Sequence, residues 1–428
     1  MKIKINETMR SDHLYKAISQ QYRKLCEIHG KLSLVQWAMK NFSEKLHNIT
    51  TLEPPKQEEE KTKAIKHHKE EEGEEEERAR CEWDFNLETV VSSSNSQSVS
   101  HALGAIEFDQ SENFVATGGI ARKIRIYSIK SLLPHKGSQY EHILSLDHAN
   151  ACDYYMCTPA KLSSLRWKPG FDSRIIGSGD YDGVVTEYDL ERRLPVFERD
   201  EHGGHRVWSV DYSNWNPVVG ASGSDDGTMQ MWDPRCEDGD VATIQPSVTR
   251  SAVCCVEFNP FGGSMIAIGC ADRKAYGYDI RMMVKPVIML DGHRKTVTYV
   301  KFVDANTLVS ASIDGCLKLW NLNESKMIRT YKGHVNNRNF VGLSVWRNGS
   351  LLACGSENNR IFVYDKRWGE PIWMQGFDTA GSSMENQEFV SSVCWRQVGE
   401  DKCTLIAGGS DGVLKVFQGK RKANTTPS

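Results

Sequence analysis

Asp314-Gly315-Cys316-Leu317-Lys318-Leu319-Trp320 decides the fold. A turn residue is followed six places later by an aromatic that ends a β-rich run, and the chain repeats this phrase seven times. The other pairs are Ala121 and Tyr127, Asp182 and Tyr188, Asp226 and Trp232, Asp272 and Tyr278, Asn358 and Tyr364, and Asp411 and Phe417. Successive aromatics stand 61, 44, 46, 42, 44 and 53 residues apart. A period of about 40–45 residues with such an ending marks the blade of a β-propeller. The expected fold is all-β, with seven blades.

Period-2 alternation between turn residues predicts the strands inside each unit. In the third they lie around Trp208–Tyr212, Val218–Ser222, Thr228–Trp232 and Ala242–Gln245. Only a polar tail follows Phe417, so the last blade lacks an outer strand. The unassigned run Trp83–Val91 is predicted to supply it, because an open ring would expose unpaired edges.

Four segments follow: a helical extension over 1–53, a charged linker over 54–80, the propeller over 81–419 and a disordered tail over 420–428. Ile28, Leu32, Val35, Met39, Phe42, Leu46 and Ile49 keep 4-3 spacing, the seam of an amphipathic helix or short coiled coil. Pro54 and Pro55 end it. The run from Lys56 to Arg80 holds Glu74 to Glu77 in a row and buries too little apolar surface to fold. Its basic patch, Lys61 to Lys69, has the composition of a nuclear import signal among acidic neighbours.

A net charge of −3 gives no general attraction to nucleic acid or anionic membrane. The 12 cysteines show no framework spacing, which favours free thiols in a reducing compartment over disulfides or zinc. No apolar run reaches the roughly 18 residues that span a bilayer, and the Lys- and Glu-rich N-terminus does not read as a secretory signal. A soluble, intracellular protein is expected, in nucleus and cytoplasm.

Two blades carry His, Ser, Asp and Trp at repeat spacing: His205, Ser222, Asp226 and Trp232, and His293, Ser310, Asp314 and Trp320. In WD-repeat proteins, which these units resemble, such residues form a buried hydrogen-bonded chain. A hydrolase triad is the competing reading. Recurrence at the repeat period, ending on Trp, favours the structural one, so no catalytic residue, metal or cofactor is assigned. Three blades end in aromatic-Asp-x-Arg: Trp232, Asp233 and Arg235; Tyr278, Asp279 and Arg281; Tyr364, Asp365 and Arg367. An Arg there lies on one rim, available for charge-assisted contacts. The pattern is similar to the box by which WD-repeat receptors dock on the adaptor of cullin-4 ubiquitin ligases.

The opposite rim gathers Lys161, Tyr181, Arg206, Trp208, Arg273, Lys295, Arg338 and Phe340 at turns and at positions leading into blades. Aromatic walls with cations suit a peptide with an apolar anchor and acidic flanks. Single-stranded nucleic acid would ask for similar residues, but the charge balance is not basic.

The stretches Gly177–Gly183, Arg206–Asp211, Lys295–Phe302 and Asn339–Leu343 resemble the propellers of the plant constitutive-photomorphogenesis ligase and its SPA partners. A closer resemblance, from about Cys81 to Gly419, is to the plant Repressor of UV-B Photomorphogenesis family. It includes Cys81–Phe85, Ile120–Tyr127, Asp200–Gly204 and Tyr364–Trp368. That resemblance implies a non-enzymatic repressor that binds the Val-Pro-containing C-terminal tail of the UV-B photoreceptor. It implies promotion of the photoreceptor's re-dimerisation and displacement of the photomorphogenesis ligase. Some members also act as cullin-4 receptors for a light-signalling bZIP transcription factor. The related ligase's Val-Pro pocket maps onto Lys161, Tyr181, Arg206, Trp208 and Phe340, and a further Lys onto Lys295; Arg273 stands where the relative has His. RING-type Cys/His spacing and kinase motifs are missing, so the chain is expected to be neither the ligase nor an SPA protein.

Overall fold

The computed structural model describes residues 82–93, 101–133, 143–214, 218–233, 240–377 and 388–422, all within the compact unit Glu74–Ser428. The predicted helical extension and linker, the tail from 423 onward, and Arg235 lie outside the described residues. Seven sheets follow one another around a ring, six of them four-stranded and one five-stranded. Their inner strands are Leu103–Phe108, Leu162–Trp167, Val207–Tyr212, Val253–Phe258, Val297–Asp304, Leu343–Trp346 and Val390–Arg396. Alternation explains how they stand: in the second, Leu162, Leu165 and Trp167 are buried between blades while the intervening residues are half-buried.

The ring closes as the sequence predicts. Trp83–Ser92 pairs antiparallel with Leu414–Arg421, from Trp83 opposite Arg421 to Val91 opposite Leu414. Lys420 and Arg421, read above as tail, are therefore strand, because the closing segment reaches far enough to pair with them. Trp83 and Phe85 pack into a cluster with Trp346, Trp395 and Phe417. Glu82 pairs with both Arg421 and Arg367, and the Arg421 guanidinium lies 5.1 Å from the Trp83 ring centroid.

The 61-residue gap also finds its cause. Between Tyr127 and the outer strand Tyr154–Cys157 of its blade, the chain makes two one-turn helices, Ile129–Leu132 and His148–Ala151. Between them Leu144–Asp147 pairs in parallel with Thr89–Ser92, a fifth strand on the seventh blade. The Thr89 hydroxyl donates to the Leu132 carbonyl at 2.6 Å, fixing the insertion to the closing strand.

A charged residue stands just before the last aromatic of five inner strands or at the same place within them: Glu107, Arg166, Asp211, Glu257 and Lys301. Together they line a central cavity of about 330 Å³ bordered by all seven blades. Arg166 pairs with Glu107 and, at 2.6 Å, with Asp211. Glu257 has Lys301 at 3.3 Å, Arg347 at 3.6 Å and Arg166 at 3.9 Å. The acids also join neighbouring strands: Asp211 accepts the Phe258 N–H at 2.7 Å and Glu257 the Phe302 N–H at 2.6 Å. Burial opposes the Arg166 charge, yet Asp211, Glu107 and Glu257 outweigh it and raise its pKa well above the ordinary arginine value.

One predicted chain of hydrogen bonds is complete. His293 lies 3.0 Å from Asp314 and 2.7 Å from the Ser310 hydroxyl, which accepts the Trp320 indole N–H at 2.8 Å. The other needs correction, since His202 and not His205 meets Asp226 at 2.7 Å and Ser222 at 2.8 Å. His205 is exposed, too near the strand starting at Val207 to reach back; His202 precedes Gly203 and Gly204, which turn the chain with positive φ. The Trp232 indole N–H makes no hydrogen bond among the described residues, so this network stops at Ser222. The first and sixth blades use a His–Tyr pair: His148 meets the Tyr127 hydroxyl at 2.7 Å, and His334 that of Tyr364 at 2.9 Å.

Candidate functional site

A recurrent irregularity builds the site. In six of the seven inner strands the register slips at the second residue, leaving Gly104, Ser163, Trp208, Cys254, Thr298 and Ser391 unpaired in bulges. A bulge re-aims its side chain. Ser391 spends its hydroxyl on the Leu103 carbonyl of the adjacent blade, and Ser163 on that of Val207. Only Trp208 is large, and its ring reaches across to blade six. It stacks on Phe340 with centroids 4.3 Å apart and planes 5° from parallel.

Tyr181, on the outer turn of blade two, lies 6.4 Å from Trp208, and Tyr299 of blade five meets Phe340 edge-on at 5.8 Å. The Arg206 guanidinium sits 4.1 Å from the Tyr181 centroid and 4.6 Å from that of Trp208, a doubled cation–π contact. Its Nε–H has no hydrogen-bond partner among the described residues. Aromatic rings from four blades and one arginine therefore meet at the axis, above the charged cavity.

Two carboxylates hold this group in place. Asp225 accepts the Trp208 indole N–H. Glu357 accepts the backbone N–H groups of Asn337, Arg338 and Asn339 at 2.8–3.0 Å, fixing the loop that carries Arg338 and Phe340. Burial pushes Glu357 up, but those N–H donors prevail and hold it below the usual carboxylate range. Sequence reasoning missed Asp225, Glu357 and Tyr299 as site residues. The signals were an acid at the outer turn of blades three and six, and a bulky aromatic where Ala105, Ser164 and Ser209 stand in other blades.

The structure thus brings together Tyr181, Arg206, Trp208 and Phe340. Lys161 is joined to them through its carbonyl, which accepts the Tyr181 N–H at 2.9 Å. Arg273, Lys295 and Arg338 are exposed on the same rim without touching the rings. That the outer turns share a rim with the residues leading into the blades follows from repeated backbone bonds: Tyr181 to Lys161, Asp225 to Arg206, Ala271 to Ala252, Ile313 to Thr296 and Glu357 to Val335. Among the described residues, the side chains of Lys161, Arg273, Lys295 and Arg338 have no ion-pair partner.

The aromatic-Asp-x-Arg corners lie at the other end of the strands, where Ile280 bonds Ser264 and Lys366 bonds Ser350. Trp232, Tyr278 and Tyr364 are buried within the blades, as are Asp233 and Asp365. Arg281 and Arg367 reach the surface, each gripping its own carboxylate, Asp279 or Asp365, through two nitrogens. Arg367 additionally holds Glu82. The named cations of the two rims therefore differ: among the described residues Lys161, Arg273, Lys295 and Arg338 have no ion-pair partner, whereas Arg281 and Arg367 are paired. Among the described residues no three His, Cys, Asp or Glu side chains gather as a metal site, and the nine described cysteines are all free.

Residues 204–364 match the family described as Nucleolar protein 10-like, N-terminal domain. The chain is 63% identical to WD repeat-containing protein RUP2 of Arabidopsis thaliana over 328 residues, 76% of this chain and 89% of that protein. To WD repeat-containing protein RUP1 of the same plant it is 58% identical over 344 residues, 80% and 86% of the two lengths. E3 ubiquitin-protein ligase COP1 of Arabidopsis thaliana is 35% identical over 319 residues, which are 74% of this chain but 44% of that protein.

Proposed function

The chain belongs to the RUP family of WD-repeat proteins, and from that premise we propose that it represses UV-B photoreceptor signalling by capturing the photoreceptor's Val-Pro-containing tail. The apolar dipeptide packs against Trp208, Phe340 and Tyr181. Arg206 and the free cations Lys161, Lys295 and Arg338 take its acidic flanks. The single observation behind this reading is the Trp208–Phe340 stack, walled by Tyr181 and Arg206, on a rim of uncommitted positive charge. Holding the tail favours the photoreceptor's return to its dimer and denies the tail to the related ligase, which aligns with this chain over 319 residues. The proposed action needs no catalytic group and takes place in nucleus and cytoplasm.

Titration of a synthetic Val-Pro peptide with acidic flanks tests the assignment. Trp208→Ala should weaken binding about thirtyfold, since truncating a buried aromatic anchor costs about 2 kcal/mol. Affinity equal to that of the unaltered chain would refute it.

A second reading, a cullin-4 substrate receptor for a light-signalling bZIP factor, draws on the exposed Arg281, 76% accessible on the opposite rim. Both roles are compatible, since they use opposite faces. Co-purification of the ligase adaptor should fall with Arg281→Ala; undiminished recovery removes this reading.

A further inference from the structure

All seven outer turns place one residue in the left-handed region, at the same position. Gly183, Gly227, Gly315 and Gly412 occupy it in four blades, with φ from 74° to 95°. Asn359 occupies it in blade six at 56°, a residue that tolerates the conformation. The remaining two are arginines: Arg122 in blade one at 54° and Arg273 in blade four at 77°. A long side chain is unfavourable here, and the fold offers no compensation. Among the described residues neither guanidinium meets a carboxylate, an aromatic ring or a carbonyl. Where glycine stands, crowding often explains it: a Cβ on Gly227 would lie 2.6 Å from the Arg250 carbonyl, and one on Gly412 2.5 Å from His101 Cβ. Strain kept without an internal contact points outward, to a ligand.

Arg122 stands on the rim that carries the aromatic group, since its neighbour Ile120 bonds the Ala102 carbonyl ahead of blade one's inner strand. Blade one adjoins blade two, home of Lys161 and Tyr181. Beside Arg122, the Lys123 ammonium lies 4.7 Å from the exposed Tyr155 ring centroid, adding a second cation and an aromatic face. We infer that Arg122 is an outer contact that extends the acidic-peptide site onto blade one, where it pairs with a carboxylate beyond the apolar anchor. The inference rests on the peptide-binding reading above. It assigns the ligand a longer acidic flank than the aromatic group alone would need.

The test uses the full chain and three synthetic peptides, one with a Val-Pro centre and Asp and Glu on both sides, and two in which one acidic side or the other is replaced by Asn and Gln. Arg122→Gly restores the residue the turn prefers, so its melting temperature should equal or exceed that of the unaltered chain. It should bind the doubly acidic peptide about three- to fivefold more weakly, the scale of one exposed charge contact. It should bind one of the half-neutralised peptides as the unaltered chain does, which identifies the flank that Arg122 reads. If Arg122→Gly binds the doubly acidic peptide unchanged while Trp208→Ala weakens it, the blade-one contact is wrong and the aromatic site stands. If Trp208→Ala also binds unchanged, the peptide reading of the whole rim falls with it.

Discussion

Arg166→Met should lower the stability of the propeller by about 3–5 kcal/mol, the cost of removing one member of a buried ionic group. Arg166 is the cation between Glu107, Asp211 and Glu257, and the last two are 3% and 1% exposed at their side chains. Met fills a similar volume, so the loss would report charge and not space. Asp211 would keep its hydrogen bond from the Phe258 N–H but lose its only ion-pair partner among the described residues. Thermal melting is the measurement, and an unchanged midpoint would show that the carboxylates find other compensation. The double substitution Arg166→Met with Asp211→Asn should lose less than the sum of the two, because Asp211→Asn removes one of the carboxylates that Arg166→Met leaves unpaired.

Trp83→Ala should cost a similar amount, about 3–5 kcal/mol, by opening a cavity where the ring closes. The indole is 6% exposed and meets Trp346 edge-on at 5.2 Å. Its N–H has no hydrogen-bond partner among the described residues, so the loss is one of packing. Trp83→Phe should accordingly recover most of the stability. If Ala and Phe melt alike, the stabilisation lies in the backbone pairing to Arg421 and not in the ring. Peptide affinity should persist in both variants below their melting points, since the aromatic group stands on other blades.

The repeat was legible because each blade must end its third strand with an aromatic that packs between neighbours. Seven such endings set the number of blades, and the missing outer strand of the last one located its substitute at Trp83. The long first interval was legible only as excess length. Nothing in Leu144–Asp147 says that it pairs with Thr89–Ser92, because that contact depends on a parallel register between distant segments. His205 misled because it follows Gly as His293 does, yet spacing to the strand start governs reach. His293 stands four residues before Val297, His202 five before Val207, and His205 only two. Trp208 was conspicuous by residue type, but its direction is set by a bulge. The charges lining the axis were visible as Glu-Phe, Arg-Trp, Asp-Tyr, Glu-Phe and Lys-Phe at strand ends. Their mutual pairing required the ring.

The five-stranded seventh blade also imposes an order in time. Trp83–Ser92 leaves the ribosome first among the blade strands, and its antiparallel partner Leu414–Arg421 comes last. Until Leu414–Arg421 has been made, one edge of that early strand has no native mate. Leu144–Asp147 emerges soon after it and pairs with Thr89–Ser92 on the other side. The nascent chain therefore carries a half-guarded strand through the making of six blades, a stage at which unpaired edges invite association with other chains. Closure waits for Leu414–Arg421, and the parallel strand shortens the list of edges left open while it waits.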